Sequence, residues 1–225
     1  MITEADEAKA VLIRDAARDA AKRLGLDVPE QTEPSAAHDG GEPELAQAGE
    51  RLVTMLFADV RGYTTLTATT APADLAERIG TLHRWAAAEV GRQHGFVDKF
   101  AGDAVMATFN ATGTRLDHAR EALEAALALS GKAALLDLGV GIGIAVGPAV
   151  VGRTVAGGNV SVLGPTTNLA ARLQAAAEAG EIVLSEEAHR RVAQWLEERG
   201  LEAVPQTLEL KGFDDPQPAF RLRRA

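Results

Sequence analysis

The stretch 54-TMLFADVRGYT-64, read together with 98-DKFAGDAVMATF-109, decides the fold of this chain. Each stretch contains a run of apolar β-formers with an aspartate at one end, Asp59 in the first and Asp103 in the second. Singly, each aspartate could equally be a helix cap or a turn residue. Two carboxylates brought together by one sheet would instead bind a hard cation such as magnesium, and magnesium favours nucleotide phosphates as ligands. The pair therefore favours a metal site.

Composition limits the classes of protein to which the chain can belong. The 225 residues, 46% of them hydrophobic, are enough for one main domain. A formal charge of −9 repels phosphate backbones and anionic membranes, so we expect no nucleic-acid partner and no membrane contact by this chain itself. The sequence contains no cysteine, which excludes disulfides and thiolate nucleophiles and fits a reducing compartment. We therefore expect a cytoplasmic location, with membrane anchoring still open if the chain is part of a larger protein.

The chain divides into three segments by composition. Residues 1–26 are rich in helix formers and end near Gly25, which predicts one N-terminal helix that needs a partner surface, such as a twin helix or an upstream regulatory domain. Residues 27–50 carry prolines, glycines and acids without any lysine or arginine, which predicts a flexible linker. Residues 51–225 alternate between strand and helix patterns and form the predicted main domain.

The pattern within residues 51–225 predicts an α+β fold, a mixed sheet with helices packed on it. Helices are predicted near residues 73–94, 114–130, 165–179 and 186–199, and strands near residues 52–59, 95–100, 104–109, 135–146, 181–185, 204–210 and 219–222, with an arm over 149–164. The glycines at positions 139, 141, 143 and 147 do not match a dinucleotide-binding fingerprint, because Val146 occupies the place of its third glycine. They predict a strand that a neighbouring element approaches closely.

The sequence blocks resemble a known family. FADVRGYT, followed about forty residues later by DKFAGDAVMATF, is similar to the catalytic domain of the class III nucleotidyl cyclases. The blocks 162-VLGPTTNLAARL-173 and 209-ELKGF-213 extend the resemblance to nearly all of residues 51–225. It implies a ferredoxin-like mixed sheet, the cyclase homology domain.

The resemblance also implies residue roles. Asp59, Val60 and Asp103 correspond to a site for two divalent metal ions, Mg²⁺ or Mn²⁺. The following set corresponds to residues that contact the substrate: Gly62, Tyr63 and Thr64 around the triphosphate, Lys99 and Ser161 at the purine, and Lys211 at the terminal phosphates. Asn168 and Arg172 correspond to the catalytic pair that orients the ribose and stabilises the transition state, and their i, i+4 spacing puts both on one helix face.

The purine position departs from the commonest pattern of adenylyl cyclases. Ser161 stands where many of them carry an aspartate, and a serine hydroxyl can donate as well as accept, so we expect weaker discrimination. Lys99 with Ser161 resembles the Thr/Ser-type subclass of adenylyl cyclases, which is often bicarbonate-responsive, whereas guanylyl cyclases typically carry Glu and Cys there. Tyr63 replaces the usual phenylalanine, and we expect it to pack similarly.

The resemblance implies an adenylyl cyclase, a phosphorus–oxygen lyase that converts ATP to 3′,5′-cyclic AMP and pyrophosphate. Since one chain carries both the metal-binding and the purine-binding residues, it implies a homodimer with two shared active sites. The alternatives are a guanylyl cyclase and a catalytically silent, nucleotide-binding regulatory domain. A diguanylate cyclase does not fit, because its Gly-Gly-Asp/Glu-Glu-Phe signature is absent. The hairpin reads Ala-Gly-Asp-Ala-Val around Asp103 instead.

Overall fold

The computed structural model describes residues 45–111, 114–154 and 160–223, all within one compact unit, Pro43–Ala225. Its strands are β1 (Leu45–Val60), β2 (Phe96–Ala101), β3 (Ala104–Phe109), β4 (Val140–Thr154), β5 (Val160–Leu163), β6 (Glu181–Ser185), β7 (Ala203–Leu208) and β8 (Gln217–Arg223). Its helices are α1 (Tyr63–Thr69), α2 (Pro72–Arg92), α3 (His118–Ala134), α4 (Pro165–Ala176) and α5 (Glu186–Glu198).

The start of β1 differs from the predicted segment boundaries. Because β1 begins at Leu45, residues 45–50 belong to a strand, although the linker was predicted over 27–50. The predicted N-terminal helix over 1–26 and the rest of that linker lie outside the described residues. Among the described helices, none is long and apolar enough to cross a membrane.

The eight strands form one mixed sheet in the order β2-β3-β1-β4-β6-β8-β7, with β5 paired to β4. Neighbouring strands are antiparallel except β4 and β6, which are parallel. Successive residues of β1 face opposite sides, so Leu56 and Ala58 join the larger core cluster and Val53 and Met55 the smaller one. Both faces are therefore covered, and the predicted α+β mixed sheet with packed helices is confirmed.

Helix α3 is shifted by four residues from its predicted range of 114–130. Its start is delayed because Asn110 Oδ1 accepts from the Arg115 N–H at 2.8 Å and the Arg115 guanidinium binds Glu121, which holds residues before Asp117 in a loop. Its end passes the expected stop at Gly131 because Ala133 is fully buried in the core. Tertiary packing thus overrides the local helix signal.

The glycines of β4 allow α4 to pack closely against the sheet. A Cβ at Gly143 would lie 2.2 Å from the backbone nitrogen of Gln174 and 2.3 Å from the carbonyl oxygen of Ala170. A Cβ at Gly147 would lie 2.6 Å from the Thr166 Oγ1. At Gly143, only glycine permits this contact between helix backbone and strand backbone. The close approach predicted from the glycines is present, and the neighbour is α4.

Candidate active site

The β1–β3 register brings the two predicted metal ligands together. The strands are antiparallel with Ala58 opposite Val105, so Asp59 at the end of β1 lies beside the turn that precedes β3. In that turn, Gly102 has φ +62°, which favours glycine, and it sets Asp103 facing β1. The backbone N–H of Val60 donates to Asp103 Oδ2 at 3.2 Å. A strand pairing therefore joins residues forty-four positions apart in sequence.

The pKa of Asp103 is shifted by its surroundings. Burial, and then a hydrogen bond with Asp59 and its negative charge, raise the pKa of Asp103 from its ordinary 3.8 to about 6. A divalent ion bound beside Asp103 would supply positive charge and favour the ionised form of this carboxyl.

Two further side chains contact Asp59, and the sequence reasoning did not find them. The guanidinium of Arg61 donates to Asp59 Oδ2 at 2.5 Å, and Gln174 Nε2 of α4 donates to the same oxygen at 3.2 Å. The contact of Arg61 could have been predicted from the sequence, because an arginine two residues after an aspartate can form an ion pair with that aspartate. Gln174 carried no such signal, because its contact depends on α4 lying against Gly143.

The segment after Asp59 and Val60 forms a turn that opens into α1. Gly62 has φ +70°, and its carbonyl accepts from the N–H groups of Thr65 and Leu66 at 2.9 and 3.0 Å. Gly62 and Thr64 are exposed, whereas Tyr63 is half-buried and packs against the larger core cluster. Tyr63 therefore contacts the core, and the turn follows Asp59 directly in the chain.

A separate pocket of about 370 Å³ lies between the β2–β3 hairpin and α4. It is lined by Lys99 and Asn168 together with apolar groups such as Phe57 and Met106. Asp98, which the sequence reasoning also missed, lines the same pocket and pairs with Lys99 at 3.5 Å. Two of the predicted substrate and catalytic residues therefore share one cavity with partly apolar walls, which suits a flat heterocyclic base.

The remaining predicted residues lie around this cavity or apart from it. Ser161 lies in β5 opposite Gly152, and its neighbours Val162 and Leu163 line the cavity. Arg172 is exposed one turn beyond Asn168 on α4, and Lys211 is exposed in the turn between β7 and β8. Among the described residues that line the cavity there is no Arg172, Lys211, Asp59 or Asp103. The structure thus brings four of the predicted residues together in two groups, Asp59 with Asp103 and Lys99 with Asn168, whereas Arg172 and Lys211 belong to neither group.

The donor set at Asp59 and Asp103 fits a magnesium-type ion. Within the described part of the chain there is no cluster of three His, Cys, Asp or Glu side chains that could enclose a metal. Two carboxylates with a backbone carbonyl such as that of Val60 leave coordination positions for water and substrate phosphate. That is how Mg²⁺ is usually held, in contrast to zinc or calcium in complete protein cages.

Comparison with known proteins identifies the family. Residues 46–218 match the sequence model of the adenylate and guanylate cyclase catalytic domain. An adenylate cyclase of Anabaena cylindrica is 28% identical over 192 residues, which cover 80% of this chain and 38% of that protein. The chain spans little more than a third of the length of such curated relatives, 36% of the length of an uncharacterized protein of Mycobacterium bovis that is 30% identical over 201 residues.

Solved structures share the fold. The adenylyl cyclase CyaB of P. aeruginosa aligns with a TM-score of 0.72 at 24% identity, over 80% of this chain and 97% of that one. The guanylyl cyclase Cya2 aligns with a TM-score of 0.68 at 23% identity, over 78% and 93%. The chain therefore belongs to the adenylate and guanylate cyclase catalytic domain family.

Proposed function

We propose that this domain is an adenylyl cyclase that forms 3′,5′-cyclic AMP and pyrophosphate from ATP in sites shared by two copies of the chain. The observation that carries the proposal is that the convergent carboxylates Asp59 and Asp103 do not line the cavity that holds Lys99 and Asn168. Each group is one part of a nucleotide site, and a two-fold dimer would place the carboxylates of one chain against the cavity of the other.

The reaction joins the ribose 3′-oxygen to the α-phosphorus, breaks the bond from that phosphorus to the bridging oxygen of pyrophosphate, and releases the 3′-hydroxyl proton. When bound, the divalent ions would lower the pKa of the 3′-hydroxyl and neutralise charge on the triphosphate. Asp59, Asp103 and the Val60 carbonyl would hold those ions. Asn168 would orient the ribose, Arg172 would meet the charge that grows on the α-phosphate, and Lys211 would bind the terminal phosphates.

The preference for adenine rests on Lys99 and Ser161. A lysine ammonium donates to a ring nitrogen acceptor, and a serine hydroxyl can accept from the exocyclic amine of adenine. The same hydroxyl can also donate to the carbonyl of guanine, so we expect ATP to be preferred by a modest margin. The Anabaena relative, named an adenylate cyclase, supports this assignment.

The direct test incubates the purified chain with ATP or GTP and Mg²⁺ or Mn²⁺, and quantifies cyclic nucleotides by chromatography. Cyclic AMP from the wild type, absent with Asp59→Ala, supports the proposal. Cyclic GMP as the main product would make the domain a guanylyl cyclase. A dimer that binds nucleotide and forms neither product would make it the silent regulatory domain.

The shared site has a sharper test by subunit mixing. Asp59→Ala and Arg172→Ala should each be inactive, and a 1:1 mixture should regain about a quarter of wild-type activity, because half of the dimers are mixed and each has one intact site. A matched control mixes Asn168→Ala with Arg172→Ala, which remove residues from the same part of the site. That mixture should stay inactive. Equal recovery in both mixtures, or recovery in neither despite subunit exchange, would contradict the shared site.

A further inference from the structure

The side chain of Arg61 places a positive charge beside Asp59, and metal binding by Asp59 does not require this charge. One oxygen of the carboxylate, Oδ2, accepts both from Arg61 at 2.5 Å and from Gln174 at 3.2 Å. A carboxylate oxygen offers about two lone-pair positions, so these donors saturate Oδ2. A cation that approaches Asp59 must therefore bind through Oδ1 alone or displace one of the two donors.

The Arg61 side chain is held in place by the sheet around it. Its backbone N–H donates to the Gly139 carbonyl at 2.7 Å. Its Nε lies directly over Gly141, where a Cβ would come within 3.0 Å of it. The Arg61 and Asp59 side chains are 24% and 33% exposed, so water screens their ion pair only partly. The pair is thus a fitted feature of the β1–β4 edge and not a freely solvated surface contact.

We propose that Arg61 is a resident counter-ion of this site, which holds Asp59 in the nucleotide-free chain and competes with the divalent cation for that carboxylate, while Gln174 fixes the orientation of the carboxylate. The inference rests on the proposed metal site at Asp59 and Asp103. A guanidinium cannot lose its charge at physiological pH, so its repulsion of an incoming cation is permanent. Arg61 therefore weakens metal binding before the nucleotide phosphates arrive.

The two donors predict different effects when they are removed. Arg61→Gln removes the charge, and we expect the nucleotide-free chain to bind Mn²⁺ about fivefold more tightly, which corresponds to ~1 kcal/mol. Gln174→Ala removes a neutral donor, so we expect equal or weaker binding. Arg61→Lys keeps the charge without the fork geometry and should stay near the wild type. Arg190→Gln on α5 removes a surface arginine paired with Glu187 and controls for net charge alone.

The experiment measures Mn²⁺ binding to the full chain by electron paramagnetic resonance, without nucleotide, in buffer of fixed ionic strength. Asp59→Asn and the double variant Asp59→Asn/Arg61→Gln complete a double-mutant cycle. Tighter binding by Arg61→Gln that vanishes when Asp59 is also replaced supports the proposal. Equal binding by the wild type and Arg61→Gln, including no binding by both, overturns it, as does an equal gain in Arg190→Gln.

The same measurements separate this inference from the proposed function. If Asp59→Asn binds Mn²⁺ as well as the wild type does, the metal site itself is wrong, and the counter-ion role of Arg61 fails with it. If Asp59→Asn weakens binding while Arg61→Gln leaves it unchanged, the metal site stands and only the competition is overturned.

Discussion

Replacing Gly143 by alanine tests how α4 is seated on the sheet. The added Cβ would lie 2.2 Å from the Gln174 nitrogen and 2.3 Å from the Ala170 oxygen, and both are backbone atoms that no rotamer change can move. Ordinary contact begins at 3.4 Å, so α4 must shift by roughly 1 Å from β4. Overpacking of this kind costs about 3 kcal/mol. For a domain of this size we expect the melting temperature to fall by about 6–12 °C.

The shift should also reach the active site, because α4 carries Asn168, Arg172 and Gln174. A misplacement near 1 Å can reduce turnover on the order of a hundredfold. Scanning calorimetry and a cyclase assay measure the two effects, with Gly91→Ala as the matched control. Apart from the backbone of α2 and the two adjacent residues, no described atom lies within 4 Å of a Cβ at Gly91. Alanine favours the α2 helix by up to about 1 kcal/mol, so that variant should melt no lower than the wild type. A Gly143→Ala variant that melts within about 2 °C of the wild type would refute the proposed packing.

Three further changes test the electrostatics and the helix ends. The pKa of Asp103 is raised from 3.8 to about 6, so the folded state disfavours its ionised form. In metal-free buffer, Asp103→Asn should therefore be more stable than the wild type above pH 6 and equally stable below pH 4. Urea unfolding measures both variants across this range, and a stability gain of Asp103→Asn that increased towards acid pH would contradict the reasoning. Burial acts to raise the pKa of Glu89, but Lys132 and a neighbouring arginine outweigh it, so the pKa is lowered. Glu89→Gln should therefore reduce the free energy of unfolding by about 2 kcal/mol near pH 7, and by less as the pH falls below the carboxyl range. A loss of stability that did not change with pH in urea titrations would argue against the ion pair. Ser185 caps α5 by accepting from the Ala188 N–H at 3.2 Å, so Ser185→Ala should lose about 1 kcal/mol in denaturant titrations, and an unchanged midpoint would show that the cap contributes nothing.

Local chemistry explains which elements could be predicted. The β2–β3 hairpin follows from Gly102 between two runs of β-formers, and α2 begins at Pro72, which suits a first helical turn. The ends of α3 could not be placed, because the Arg115–Glu121 contact and the burial of Ala133 depend on distant elements. For α4, predicted to reach residue 179, the helix ends at Ala176, followed by extended backbone.

The sequence by itself determined the types of element, the two aspartates at strand ends and the family to which the domain belongs. These properties are local, since a β-former run, a turn glycine or a motif in register is encoded within a few residues. Only the tertiary structure decided that Asp59 meets Asp103 across β1 and β3, and that Gln174 reaches Asp59. The first contact depends on strand register and the second on a helix seated over Gly143, and neither is encoded by the residues that make it.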